Sequence, residues 1–300
     1  MGSISGSVSG STPEPVSGSM SGRTCLVTGA TSGIGKETAL RLAMLGAAVT
    51  IVARDTARGD AAAAEIRQRV PLAQVEVMTA DLSSLPQVRR LASEVQARCS
   101  HLDVLVNNAG VISLRRQLTA DGLEITFATN HLGPFLLTNL LRGLLERSAP
   151  ARVVTVASAA HKQVRSVSWD DLARGGQTAP GQAYAVSKLL NVLFTTELAR
   201  RLANTGVTAN CLHPGFVRTA LGRHVTGIPG AAVRLALHLR PGPEAGARTS
   251  VYVASSPDVA AISGGYFVRS KLSQPSKLAR DPEAAARLWT LSAALADLTP

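Results

Sequence analysis

The sequence predicts one α/β domain built on a doubly wound parallel β-sheet with helices on both faces. Three observations carry this. From Arg23 onward, short β-rich apolar runs alternate with longer Ala/Leu/Arg segments of helical period. The strand candidates are apolar on both faces, as strands are when helices cover a parallel sheet on both sides. The β–α–β order repeats along the chain with no linker and no second hydrophobic rhythm after residue 22.

The elements follow in order. Thr24–Thr28 (TCLVT) is a short apolar strand that ends at a glycine turn. Ala48–Ala53, Gln74–Thr79, Val104–Asn107, Arg152–Ala157, Val207–Leu212 and Gly265–Val268 repeat its Val/Ile/Leu/Thr character. Helical period fills the intervals near 34–45, 56–69, 85–98, 120–147, 182–203 and 244–255, with a last helix over about 282–297. Residues 1–21 are Gly, Ser and Pro with almost no apolar content, so they read as a disordered tail outside the fold. The domain is then 22–300.

The 300 residues carry 45% apolar and 17% charged residues, with only 3% aromatics. That supports a sizeable aliphatic core and excludes wholesale disorder. Lys plus Arg number 31 against 20 acids, a formal charge of +11. Such a balance suits an acidic partner: nucleic acid, a phosphate-bearing ligand or a membrane surface. The cations are mostly arginines scattered singly or in pairs with no binding motif, so nucleic acid is not expected. Cys25, Cys99 and Cys211 are too far apart for a disulfide framework or a metal cluster, and no metal site is expected. No apolar run is long enough to span a bilayer, and no signal-peptide pattern opens the chain. The expected location is the cytoplasm.

The first strand runs into GATSGIG, with Gly29, Gly33 and Gly35, and a helix follows at once. A strand–turn–helix of this kind aims backbone N–H groups and the positive helix end at a pyrophosphate, the Rossmann-type arrangement. A glycine cluster alone is also explained by a tight turn. The second strand ends where such folds read the adenosine ribose. An acid there would favour NAD; here Ala53 is followed by Arg54, whose guanidinium suits a 2′-phosphate and so NADP(H). A solvated loop arginine is the plainer reading of Arg54. Lys36 adds nearby charge, whereas Asp55 can pair with Arg54 or partly restore NAD binding.

Tyr184 and Lys188 are four apart in a helical segment and share one face. A phenol near pKa 10 exchanges protons poorly at neutral pH unless a neighbouring cation stabilises its anion. Ser158 ends the strand RVVTVAS at the carboxyl edge of the sheet, where open α/β folds bind ligands. Asn130 falls inside a long helical segment, where its amide either faces solvent or breaks the helical ladder and holds a water.

TGATSGIG, NNAG at 107–110, Asn130, Ser158, YxxxK at 184–188 and PG at 214–215 stand in the order of the short-chain dehydrogenase/reductases, and the chain resembles that family over about residues 22–297. GIGKETA, VARD, NHLGPFLLTNLL, SAAH, SKLLNVLFTTELARRL, HPGFVRTALGRH and AARLW resemble its retinol-dehydrogenase-like branch. The resemblance implies an NADP(H)-dependent oxidoreductase acting on a lipophilic ketone, aldehyde or matching alcohol. It implies that Tyr184 is the general acid or base, Lys188 holds the nicotinamide ribose and lowers the tyrosine pKa, Ser158 binds the substrate oxygen, and Asn130 keeps a water–lysine proton relay. It assigns cofactor contacts to the turn residues Gly29, Thr31, Ser32, Gly33, Ile34 and Gly35. Asp81 and Leu82 would border the adenine; Asp81 is otherwise a helix N-cap. Asn107 and Ala109 would support the sheet and flank the adenosine ribose, and Asn108 and Gly110 beside them would also contact the cofactor. Pro214, Gly215, Val217 and Thr219 would meet the nicotinamide end; Thr219 is otherwise a helix cap.

Ser158 and Tyr184 are 26 positions apart, about twice the spacing of compact family members, and the extension resembles that of the same branch. Trp169 within it reads as a loop anchor rather than a substrate contact. Residues 220–243, apolar with Arg223, Arg234 and Arg240, fit a lid over a lipophilic substrate, a weak membrane-surface helix or a packed surface helix. Pocket shape falls to the loops 111–118, 159–182 and 220–243. Pairing of copies through the helices near 120–147 and 182–203 would give a homodimer or homotetramer. Two other functions share the fold: a different natural-product or tetrapyrrole step, such as double-bond reduction or cyclisation, and a non-catalytic NADP-binding regulator. His131, His161 and His213 have no metal-ligand spacing.

Overall fold

A computed structural model describes residues 19–113, 115–176, 180–215, 217 and 241–298. The strands are β1 (Thr24–Thr28), β2 (Ala48–Ala53), β3 (Val75–Thr79), β4 (Val104–Asn107), β5 (Ala151–Val156), β6 (Val207–His213), β7 (Tyr266–Val268) and β8 (Lys271–Ser273). They form one sheet in the order β3-β2-β1-β4-β5-β6-β7-β8. All neighbours pair in parallel except β7 with β8. The antiparallel β8 was not expected. Its three residues are too short for an alternating pattern, and it pairs with β7 across a turn with Arg269 and Ser270 at positive φ.

The longer helices are α1 (Gly33–Met44), α2 (Thr56–Arg69), α3 (Leu85–Arg98), α4 (Gly133–Arg147), α5 (Pro180–Arg201), α6 (Pro243–Ser255) and α7 (Pro282–Leu295). Alternation along β1 shows why both sheet faces are covered. Leu26 joins the apolar core beneath α3, α4, α5 and α7; Cys25 and Val27 join the core beneath α1, α2 and α6.

Three expectations shift. Met20 is buried in the second core and its N–H donates to Leu45 C=O at 2.8 Å, so the fold reaches back past the expected boundary at residue 22. One apolar residue in a Gly/Ser stretch was enough to anchor it. The helix expected over 120–147 begins only at Ile125, after a turn at 119–122, and is π-helical over Ala128–Leu132 before α4. Thr219 and most of the lid region, with its membrane-surface reading, lie outside the described residues.

The last helix, α7, lies against α4 and α5. The Trp289 ring sits 5.0 Å from Phe135, stacks on Phe194 at 6.0 Å, and takes the Arg201 guanidinium on a face at 4.3 Å. The two helices expected to pair copies thus carry the chain's own C-terminal helix. Trp169 packs on the same core with Arg287 over its ring at 4.9 Å, the anchoring role expected of it. Among the described residues no helix is long and apolar enough to cross a membrane.

Candidate active site

The carboxyl ends of β1, β2, β4, β5 and β6 open onto one cavity of about 740 Å³, within the range of small-molecule sites. One end is built by the glycine turn. Gly29 has φ +65°, and a Cβ there would stand 2.7 Å from Ala109 Cα. A Cβ on Gly35 would stand 2.5 Å from Gly29 O. Glycine is therefore required for the turn to close against the β4 loop. Thr28 holds the two loops together: its hydroxyl accepts from the N–H groups of Asn108 and Ala109, both at 3.0 Å. The Asn108 amide in turn donates to Thr28 C=O at 2.8 Å.

This end fits a dinucleotide phosphate. Ser32 occupies the α1 N-cap position without a side-chain cap, and the first turn of α1 holds no acid. The leading N–H groups of α1 are left for a ligand, and Gly33, Ile34 and Gly35 line the cavity beside Thr31 and Ser32. Arg54, Asp55 and Arg58 line the same end. Asp55 caps α2 by accepting from Arg58 N–H at 2.9 Å, so its carboxylate is committed to the helix start. Arg58 was missed from the sequence; its signal is its place in the first turn after Arg54. Lys36 does not add to this end, because its ammonium pairs with Glu65 of α2. Leu82 and Ala80 line the wall, but Asp81 does not. The Asp81 carboxylate accepts from the N–H and hydroxyl of Ser83, and the N-cap of α3 is Ser84.

The other end gathers Ser158, Tyr184, Lys188, Gly110, Val111, Ile112, Pro214, Gly215 and Val217. β5 delivers Ser158; α5 delivers Tyr184 and Lys188 one turn apart. The Tyr184 phenol hydrogen-bonds Ser158, and burial pushes its pKa up more than that bond lowers it. Lys188 is buried, donates to Val156 C=O at 2.8 Å, and its Nζ lies 5.7 Å from the Tyr184 ring centre. Burial depresses its pKa to about 8. The lysine was expected to lower the tyrosine pKa. In this geometry desolvation is the leading influence on both groups.

Asn130 sits in the π-helical segment, fully buried. Its amide oxygen accepts from Val111 N–H at 2.7 Å, and its amide nitrogen donates to Val111 C=O and Ser187 Oγ, both at 3.0 Å. The side chain is shut off from solvent and clamps the 111 loop to α5. Asn107 does support the fold, donating to Thr138 of α4 at 2.9 Å. His131 is buried among Phe127, Phe135 and Phe194 with Nε2 2.9 Å from Ser292 Oγ. Among the described residues no three metal-ligating side chains come together.

The fold and the site have counterparts among known proteins. Residues 23–227 match the family model for short chain dehydrogenases. Retinol dehydrogenase 14 of Mus musculus is 44% identical over 296 residues, covering 92% of this chain and 86% of the relative. A crystal structure of a protein from Mycobacterium paratuberculosis is 37% identical with a TM-score of 0.74, covering 94% of this chain and 96% of that one. The Pseudomonas aeruginosa RhlG/NADP active-site complex is 30% identical with a TM-score of 0.67, covering 83% of this chain and 95% of that one. This chain belongs to the short chain dehydrogenase family and is a retinol-dehydrogenase-like oxidoreductase.

Proposed function

We propose that the protein is an NADP(H)-dependent reductase that converts a lipophilic ketone or aldehyde to the alcohol. The carrying observation is a single cavity that joins Arg54 and Arg58 at one end to Ser158, Tyr184 and Lys188 at the other. A bound nicotinamide dinucleotide supplies the hydride. Arg54 and Arg58 hold a 2′-phosphate, and the glycine turn with the α1 N-terminus holds the pyrophosphate. Ser158 donates its hydroxyl to the substrate oxygen. Tyr184 gives that oxygen a proton, and buried Lys188 presents its ammonium to the ribose and the phenol. Val111, Ile112, Ala159 and Ala160 line the same end of the cavity and give it the apolar wall that suits a lipophilic carbonyl. The retinol dehydrogenase named above supports this substrate class, and the NADP complex supports the cofactor.

Titration of NADP⁺ and NAD⁺ into the wild type and Arg54→Ala tests the cofactor. Losing the guanidinium is expected to weaken NADP⁺ binding roughly 10- to 100-fold, as for a lost charge-assisted hydrogen bond, with NAD⁺ affinity unchanged. Equal wild-type affinities for the two dinucleotides sink the NADP(H) assignment. A panel of long-chain aldehydes and ketones, followed by NADPH consumption and product mass, tests the substrate class; no turnover across the panel overturns it.

A further inference from the structure

His161 takes no part in the scheme above and does not line the cavity. It is nevertheless fully buried, three residues after Ser158 in the 3₁₀ turn Ala159–Gln163. Both ring nitrogens are engaged. Nδ1 lies 2.6 Å from the carbonyl oxygen of Ser158. A carbonyl only accepts, so Nδ1 carries the hydrogen. Nε2 lies 3.1 Å from the backbone nitrogen of Ser276, whose N–H is the donor. A backbone N–H only donates, so Nε2 carries a bare lone pair. The two partners therefore dictate one state of the ring: neutral, with its hydrogen on Nδ1.

The ring is held from the side as well. Tyr266 of β7 meets it edge-on at 5.1 Å. Ser276 follows β8 and accepts from Ala279 N–H through its hydroxyl at 3.4 Å, so its backbone is itself tied down. The charged and titratable groups around the imidazole are Lys162 on its own turn, His213 of β6 and Tyr266 of β7. Burial, the largest influence, disfavours a second proton on His161 and outweighs the bond to the Ser158 carbonyl, which favours it; Lys162 adds to the burial effect. A second proton would also aim an N–H at the N–H of Ser276.

The result is a strut. It runs from the segment after β8, through one imidazole, to the carbonyl of Ser158. The Ser158 hydroxyl already accepts from Ala160 N–H at 3.2 Å, so it belongs to the same tight turn. Fixing the Ser158 carbonyl from behind fixes the peptide that leads into the turn, and so holds the Ala160 N–H against the hydroxyl that meets the cavity. We infer that His161 is a positioning residue, held as the Nδ1–H tautomer, that orients Ser158 for the reacting oxygen through Ser276. The inference rests on the reading of Ser158 as the group that binds the substrate oxygen.

The test uses the full chain, NADPH and the carbonyl of the panel with the highest turnover. His161→Leu removes both ring hydrogen bonds. His161→Asn restores an N–H within reach of the Ser158 carbonyl. Ser158→Ala is the control. His161→Leu is expected to lower kcat roughly 10- to 100-fold, as misplacement of a reacting group does, with NADPH affinity within about twofold. His161→Asn is expected to recover part of that loss, because the Ser276 N–H stays without its acceptor. If Ser158→Ala is inactive while His161→Leu turns over within about twofold of wild type, the inference is overturned and the site reading stands. Equal losses in the Leu and Asn variants also overturn it, because filling the volume would then be all that matters. If Ser158→Ala keeps wild-type turnover, the site reading fails, and orientation of a catalytic serine by His161 fails with it. The ring state is measured separately. Two-bond ¹H–¹⁵N spectra of the ¹⁵N-histidine-labelled protein are expected to show His161 as Nδ1–H. An Nε2–H or doubly protonated ring at neutral pH overturns the inference even where His161→Leu fails to fold.

Discussion

The two ends of the cavity are made of different material. The nucleotide end is backbone: glycines, uncapped N–H groups of α1, and two arginines that reach in from exposed positions. The reaction end is buried side chain. Lys188, Asn130 and His161 are each at most 3% exposed, and each is tied to a neighbouring backbone carbonyl. A backbone cradle binds through groups that every residue carries, provided its glycines stay small. Buried polar groups, by contrast, are stable only while every partner is present. Affinity and selectivity therefore belong to the end whose exposed arginines tolerate substitution while its glycines do not, and chemistry to the end that shares its residues with the core.

The largest expected effect separates the two ends outright. Tyr184→Phe removes the proton donor and keeps the ring, so turnover should fall by about 10²–10⁴-fold with NADPH affinity nearly unchanged. Steady-state kinetics with a nucleotide titration measures both; a variant that turns over at the wild-type rate removes Tyr184 from the chemistry. The next effect probes how far the reaction end depends on the core. Burial lowers the His131 pKa to about 3 from an ordinary 6.5. The folded ring stays neutral while the unfolded one gains a proton. The stabilisation is thus complete above about pH 6.5 and is lost as pH falls toward 3. By pH 5 the loss is about 2 kcal/mol. Urea unfolding at pH 7 and pH 5 should show an acid loss larger by about that amount in the wild type than in His131→Leu. A wild type with the same acid sensitivity as the variant would show that His131 is not coupled to folding. The smallest effect belongs to the nucleotide end. Lys36→Ala breaks a part-exposed pair with Glu65, worth about 0–1 kcal/mol, and should leave NADP⁺ affinity unchanged. A tenfold loss in that titration would extend the phosphate site beyond Arg54 and Arg58.

The same division decides what the sequence could say. The nucleotide end is local, with strand, turn and helix contiguous from Thr24 to Met44, and so both its place and its glycines are legible. Arg58 was hidden only because a helical arginine looks like any solvated one. The places of β1 to β7 and of most helices follow from periodicity, because strands buried on both faces leave an unmistakable apolar run. Contacts between distant segments leave no such trace. The Ser276–His161 bond joins residues 115 apart, and nothing in SAAH announces its partner. The π-helical segment around Asn130 coincides with its clamp on Val111 and Ser187, contacts that the composition of ATNHL does not announce. Lys36 shows the converse: its chemistry suits the cofactor, and it is taken by a nearer partner, Glu65.

The Trp289 helix has a consequence for synthesis on the ribosome. His131 meets Ser292 across 161 residues of chain, and the Phe135–Phe194 pair meets Trp289 only when the last helix is made. At about 5–20 residues per second, the nascent protein waits roughly 8–32 s between the emergence of these partners. The strands and helices of the nucleotide end are complete long before that. During translation the chain is therefore a cradle first and a catalyst last.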